Sequence, residues 1–167
     1  MDLNSYFEQL AIEHNEIQHT SEKPAFFREY ASARILLDTN FHKNLRNCGN
    51  NILISQFNDD GNLPVPTNDF NRENPIGTLY IFSRILASEI EDARLTAKGI
   101  RDDIYARLKR DMRSQDDIFE RGFQIEQISP VTIGRVADNF YGMSLNISYS
   151  QKYTAVYDES KWTDTIS

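Results

Sequence analysis

The chain has 167 residues, 40% of them hydrophobic, 11% aromatic and 26% charged, a length and mix that suit one folded domain and exclude wholesale disorder. Its 18 basic and 25 acidic residues leave a formal charge of −7, which argues against a general binder of nucleic acid or anionic membrane, because phosphate-rich surfaces attract net positive proteins. The single cysteine, Cys48, excludes an internal disulfide, a thiolate zinc cluster and a CxxC redox pair, and fits a reducing compartment.

The first ten residues mix acidic and polar side chains with apolar ones, without the basic-then-apolar order of a secretory leader. No apolar run approaches the roughly 20 residues of a membrane span, so a soluble protein is expected. Leu3, Phe7, Leu10, His14 and Ile17 recur at three- and four-residue spacing, which predicts an opening amphipathic helix capped by Asp2 or Asn4, with Glu8, Glu13 and Glu16 outside. Pro24 breaks that pattern and suits the first turn of a second helix. Phe26, Tyr30, Ala33 and Leu37 supply its buried stripe.

Residues 52–57 are a short β-branched run that reads as a strand. Asp60 and Gly61 then mark a tight turn, and residues 63–75, with three prolines and no periodicity, read as an extended loop. Residues 78–83 are apolar on both alternating sets, Leu79 and Ile81 against Tyr80 and Phe82, as expected of a central strand covered on both faces. From Ser88 the period changes, and Ile90, Ala93, Ala97, Ile100, Ile104 and Leu108 trace one face of a long helix that tolerates Gly99.

After a polar break at residues 114–117, residues 123–128 and 131–136 read either as two strands or as one strand interrupted at Pro130. Asp138, Asn139 and Gly142 carry turn chemistry. Met143, Leu145, Ile147 and Tyr149 then alternate with Ser144, Asn146, Ser148 and Ser150, the pattern of a strand with one buried and one wet face. The order predicts an α+β fold: an antiparallel or mixed sheet of about four or five strands against a long helix and an N-terminal helical pair. One domain is expected over residues 1–157, with a polar tail at 158–167 whose Trp162 either packs back or meets a partner.

Catalytic and metal motifs fail on spacing. His14 and His19 are five apart, about 140° around a helix, so they cannot form a one-face zinc pair, and His14 sits on the apolar stripe as a packing residue. Cys48 has only His42 at a suggestive distance in sequence and reads as a small core residue. Aligning Gly61 with the glycine of a calcium loop puts Gln56 and Thr67 where carboxylates belong. Adjacent acids at Asp102 and Asp103, and at Asp116 and Asp117, diverge rather than form a dyad. The glycine-rich phosphate loops and the serine elbow are absent, so no cofactor is expected and an enzyme is not the leading reading.

One charge anomaly stands out. Between Arg94 and Arg113 seven basic residues, Arg94, Lys98, Arg101, Arg107, Lys109, Arg110 and Arg113, face only Asp102, Asp103 and Asp111, an excess of +4 that leaves −11 elsewhere. Two accounts stay open: a solvated helix face with pairs such as Asp103 to Arg107, or an electrostatic seam meeting an acidic face of an identical subunit in a head-to-tail ring.

Pro130-Val131 and the run from Val136 through Asn139, Phe140, Tyr141, Gly142 and Met143 to Ile147 resemble the closing segment of small tail-completion, or tail terminator, proteins of tailed bacteriophages. The resemblance extends to the long helix with Arg107 to Asp111, and to Ile17-Gln18-His19 and Phe26-Phe27-Arg28. It implies a structural virion protein that caps the tail tube as a ring, commonly six-fold, and joins it to the head-tail connector. DNA would pass through the lumen of such a ring without specific binding, and a net negative chain suits that passage. The expected interface residues are Arg94, Arg101, Arg107, Arg110, Phe140, Tyr141 and Trp162, the expected partners further copies, tail-tube protein and connector, with no membrane. The resemblance carries no catalytic residue. The rival expectation is a small cytosolic adaptor or regulatory module that binds one partner near Trp162.

Overall fold

The computed structural model describes residues 2–28, 48–57, 71–73, 76–86, 89–114, 124–136 and 139–153. The expected Asp60-Gly61 turn, Tyr30, Ala33, Leu37, His42, Asp138, most of the polar break and Trp162 lie outside them. The described chain runs α1 (Leu3–Glu13), β1 (Phe26–Arg28), β2 (Asn51–Gln56), β3 (Asn71–Glu73), β4 (Ile76–Arg84), α2 (Ile90–Asp111), β5 (Gln124–Val136) and β6 (Phe140–Tyr153). It is an α+β fold built on one mixed sheet.

β4 is central, as its two-sided apolar pattern predicts: it pairs antiparallel with β2 on one side and β6 on the other. β1 adds to β2 in parallel, Phe26 opposite Leu53, and β5 adds antiparallel to the outer side of β6. β3 faces residues 151–153 of β6 in a register that continues that of β4, Glu73 opposite Gln151 and Ile76 opposite Ser148. Six strands therefore fill five positions across the sheet. The expected loop at 63–75 thus contains pairing backbone at Asn71–Glu73, which its polar sequence concealed.

The second expected helix is corrected at its start. Phe26 is buried, but Phe26–Arg28 is a strand. Phe26 and Phe27 project to opposite faces, since Phe26 joins the helix-side core and Phe27 packs on the other side. Asp2 caps α1 by accepting from the Ser5 amide at 2.8 Å, and the helix stops where His14 turns extended, at φ −77° and ψ 122°. Ile17 is buried beyond the helix end.

α1 and α2 share one face of the sheet. Leu3, Phe7 and Leu10 from α1, and Ala97, Ile100, Ile104 and Leu108 from α2, pack with Leu53, Leu79, Ile81, Leu145 and Ile147 in the main core. Ile52, Ile54, Phe82, Val136 and Phe140 form a second cluster on the opposite face. Hence the even-numbered face of β6 is only partly wet: Asn146 and Ser148 are half-buried, but Ser144 and Ser150 are buried, because they lie on the side of the sheet that carries this second cluster.

Residues 124–136 form one strand that runs through Pro130, which is opposite Leu145. An outer strand tolerates proline, which removes a ladder donor only where no further strand needs it. Register shifts at Ile125/Gln127 and Thr132/Gly134 bulge this edge, and Gly134 takes φ +89° beside the second. Gly142 is a strand residue rather than a turn residue. A Cβ there would stand 2.6 Å from the Phe82 ring, and one at Gly77 would stand 1.9 Å from the Phe57 ring, so both glycines let an aromatic lie flat on the backbone. Among the described residues no helix is long and apolar enough to cross a membrane.

Candidate functional site

α2 carries the chemistry the sequence singled out. Its apolar stripe, Ala93, Ala97, Ile100, Ile104 and Leu108, is buried against the sheet, and Asp111 continues that stripe. The spacing that buries Leu108 also buries Asp111 three residues on, an acid on the apolar register. Its carboxylate accepts from the Tyr6 hydroxyl at 2.9 Å, Arg107 Nε at 2.7 Å and Arg110 Nε at 3.0 Å. Burial alone would raise the Asp111 pKa, but the hydrogen bonds from Arg107, Tyr6 and Arg110 outweigh it and hold the carboxyl below its usual value. Burial first, then the Asp111 carboxylate, pushes the Tyr6 hydroxyl far above its usual range. Tyr6 is therefore a fixed donor.

The basic face is largely answered within the chain. Arg94 binds Glu91 through two bonds of 2.8 and 2.5 Å. Arg101 and Lys98 share Asp102 at 2.6 and 3.7 Å. Arg107 reaches Glu13 of α1 at 3.2 Å as well as Asp111, and Arg110 reaches Asp111 at 2.9 Å. The expected Asp103–Arg107 pair does not form; Asp103 faces His14 Nε2 at 3.6 Å instead. Among the described residues Lys109 and Arg113 have no ion pair. The excess charge is concentrated at the C-terminal end of α2, not spread along the helix.

That end borders a groove of about 310 Å³ between α2 and β5. Tyr105, Lys109, Met112 and Arg113 form one wall, and Ile125 to Ile128 of β5 the other. Tyr105 and Met112 are 42% and 43% exposed and line the same groove, so they form a shared apolar surface rather than scattered exposure. They lie off the buried stripe in the sequence, which is the signal that would have marked them.

A second cleft of about 360 Å³ lies between the end of α1 and the middle of α2, where Glu13, Glu16, Asp103 and Arg107 surround His14. His14 Nδ1 accepts from the Glu16 amide at 3.2 Å, and His19 Nδ1 accepts from the Ala25 amide at 3.0 Å. Both histidines thus brace the chain leaving α1. No group of three or more metal-ligating side chains exists among the described residues. Burial raises the Cys48 thiol despite the charge of Arg84, so it is not an activated thiolate.

The remaining expected interface residues separate. Phe140 is a core residue, 2% exposed, with the Arg84 guanidinium 4.9 Å from its ring centre; burial removes it from any direct contact with a partner. Tyr141, its neighbour on the other face of β6, is half-buried against the main core. Arg94, Arg101, Arg107 and Arg110 stand on α2 with the pairings above, and Trp162 lies outside the described residues. No family model matches the chain, and no curated protein matches it in sequence.

Proposed function

We propose that the chain is a structural subunit that assembles with copies of itself into a ring at the head-side end of a tailed-phage tail tube, and there joins the tube to the head-tail connector. The observation that carries this reading is the groove beside the C-terminal end of α2, where exposed Tyr105 and Met112 adjoin two cations with no partner among the described residues. Apolar surface rimmed by unanswered charge is the composition of a protein contact. The sequence resemblance of the closing segment, Val136 to Ile147, to tail-completion proteins supports the same reading. An excess of acidic side chains lets DNA cross the ring without adhering to it.

Electron microscopy of polymerised tail tubes incubated with the purified chain tests the proposal. The expected result is extra ring-shaped density at one end of each tube, and capture of connector particles by capped tubes alone. Tubes left bare at both ends, with connectors captured equally with and without the chain, would overturn it.

A further inference from the structure

Deepening that reading, and resting on it, we propose that copies join head to tail, with the N-terminal end of α2 on one copy seated against the groove between α2 and β5 on the next. The two ends of this helix are complementary in charge and alike in apolar exposure. Around the N-terminal end, Leu86, Ile90 and Leu95 are 56%, 40% and 51% exposed, and Glu89 and Asp92 have no ion pair among the described residues. Glu89 stands at the cap position without making a capping bond, and Asp92 beside it pushes its carboxyl up. Two carboxylates crowded at one end of the helix are relieved by a nearby cation, and among the described residues none pairs with them.

The cations lie at the other end. Lys109 and Arg113 flank the groove whose wall includes Tyr105 and Met112, and Glu126 on its other wall leaves an excess of one positive charge there. The 22 residues of α2 span about 33 Å, so the two ends cannot neutralise each other within one copy. A two-fold dimer through the N-terminal end sets its acids together, and one through the groove leaves the groove's excess cation unanswered. Pairing unlike ends brings Glu89 and Asp92 to the groove's excess positive charge and covers apolar surface on both sides. A contact between unlike surfaces repeats from copy to copy, and closes into a ring when its rotation allows.

The neighbouring edge directs the contact to side chains rather than backbone. Among the described strands β5 is the outermost on its side, yet Pro130 and the two bulges interrupt it, and such interruptions discourage another chain from adding as a strand. A seat in the groove avoids that edge.

Cysteine pairing reads the contact directly. In a Cys48→Ser background, Leu95→Cys and Met112→Cys stand about 25 Å apart along one helix, too far for a bridge within a copy, where Cα atoms must come within about 7 Å. Under mild oxidation the double variant is expected to give a ladder of covalent species beyond the dimer, whereas each single variant stops at the dimer. Lys109→Glu with Arg113→Glu should abolish the ladder, weakening association about tenfold or more. Adding Glu89→Lys and Asp92→Lys to the same chain should restore it. If native mass shows a wild-type oligomer but no ladder forms, or if the ladder ignores both charge reversals, the head-to-tail contact is overturned while the ring stands. A chain that stays monomeric both alone and on tail tubes overturns the two together.

Discussion

Tyr6 and Asp111 stand 105 positions apart and meet in a buried hydrogen bond of 2.9 Å that ties the first turn of α1 to the last turn of α2. Arg107 extends the tie, since it holds Asp111 at 2.7 Å and Glu13 at 3.2 Å. This junction fixes the helix end that carries the groove. Tyr6→Phe removes one bond to a buried charge and should lower unfolding free energy by about 1–2 kcal/mol. Asp111→Ala leaves the buried Tyr6 hydroxyl without its acceptor, while Arg107 keeps Glu13 and the exposed Arg110 turns to water, and should lower it by about 2 kcal/mol. Urea unfolding of the two single variants and the double variant should show coupling, the pair losing less than the sum of the singles.

The same carboxyl sets a pH dependence. Its folded pKa is lowered, so the stability it contributes is fully present above its unfolded value of about 4 and is lost as pH falls through the lower folded value. Wild type and Asp111→Asn should therefore differ most near neutrality, and the gap should close as pH drops below about 4. Thermal melts from neutral to acid pH check this, and a gap that widens on acidification would contradict it.

Gly77→Ala places a methyl where the Phe57 ring already lies, at 1.9 Å. Phe57 is itself stacked on Phe7, with ring centres 5.4 Å apart, and tilted against Tyr149 at 6.1 Å, so it has little room to retreat. The substitution should destabilise by about 2–3 kcal/mol. In a Phe57→Leu background the same substitution should cost less than it does in the wild type, as read by denaturant midpoint.

Gln18 takes φ 53°, a conformation a side chain disfavours by about 1 kcal/mol relative to glycine. Gln18→Gly should therefore hold or raise the melting temperature, although glycine usually destabilises ordered backbone. Asp2→Ala removes the α1 cap and should cost about 1 kcal/mol. Opposite signs for two exposed substitutions at the two ends of one helical segment are a sharp check on the local geometry.

Much of the fold was legible where one physical signal dominated. The 3.6-residue stripe from Ala93 to Leu108 marks α2, and the two-sided apolar run of β4 marks the centre of the sheet. The signal fails where tertiary pairing overrides it. Phe26–Arg28 follows a proline and reads as a helix start, yet it becomes a strand because β2 offers it a parallel edge. Asn71–Glu73 has no apolar pattern and pairs only because it continues the line of β4 along β6. The serines of β6 read as a wet face because a sequence does not show that the reverse side of the sheet carries its own core.

The candidate site was half legible. Charge counting located the anomaly on α2, but it credited arginines that Glu91, Asp102, Glu13 and Asp111 already answer. Phe140 was expected at the interface as part of the run that carries the resemblance, whereas β6 turns it inward beneath Arg84. What remains outward is Lys109 and Arg113, beside Tyr105 and Met112. These residues share a surface only after α2 is laid against β5.

The proposed function is assembly of this chain with copies of itself on a tail tube. Native mass spectrometry of the purified chain, alone and mixed with tail-tube protein, tests it most directly. The account predicts a closed oligomer of integer subunit number, formed alone or on the tube, that Lys109→Glu with Arg113→Glu disrupts and added salt weakens. A chain that remains strictly monomeric and ignores the tube in both mixtures would contradict it.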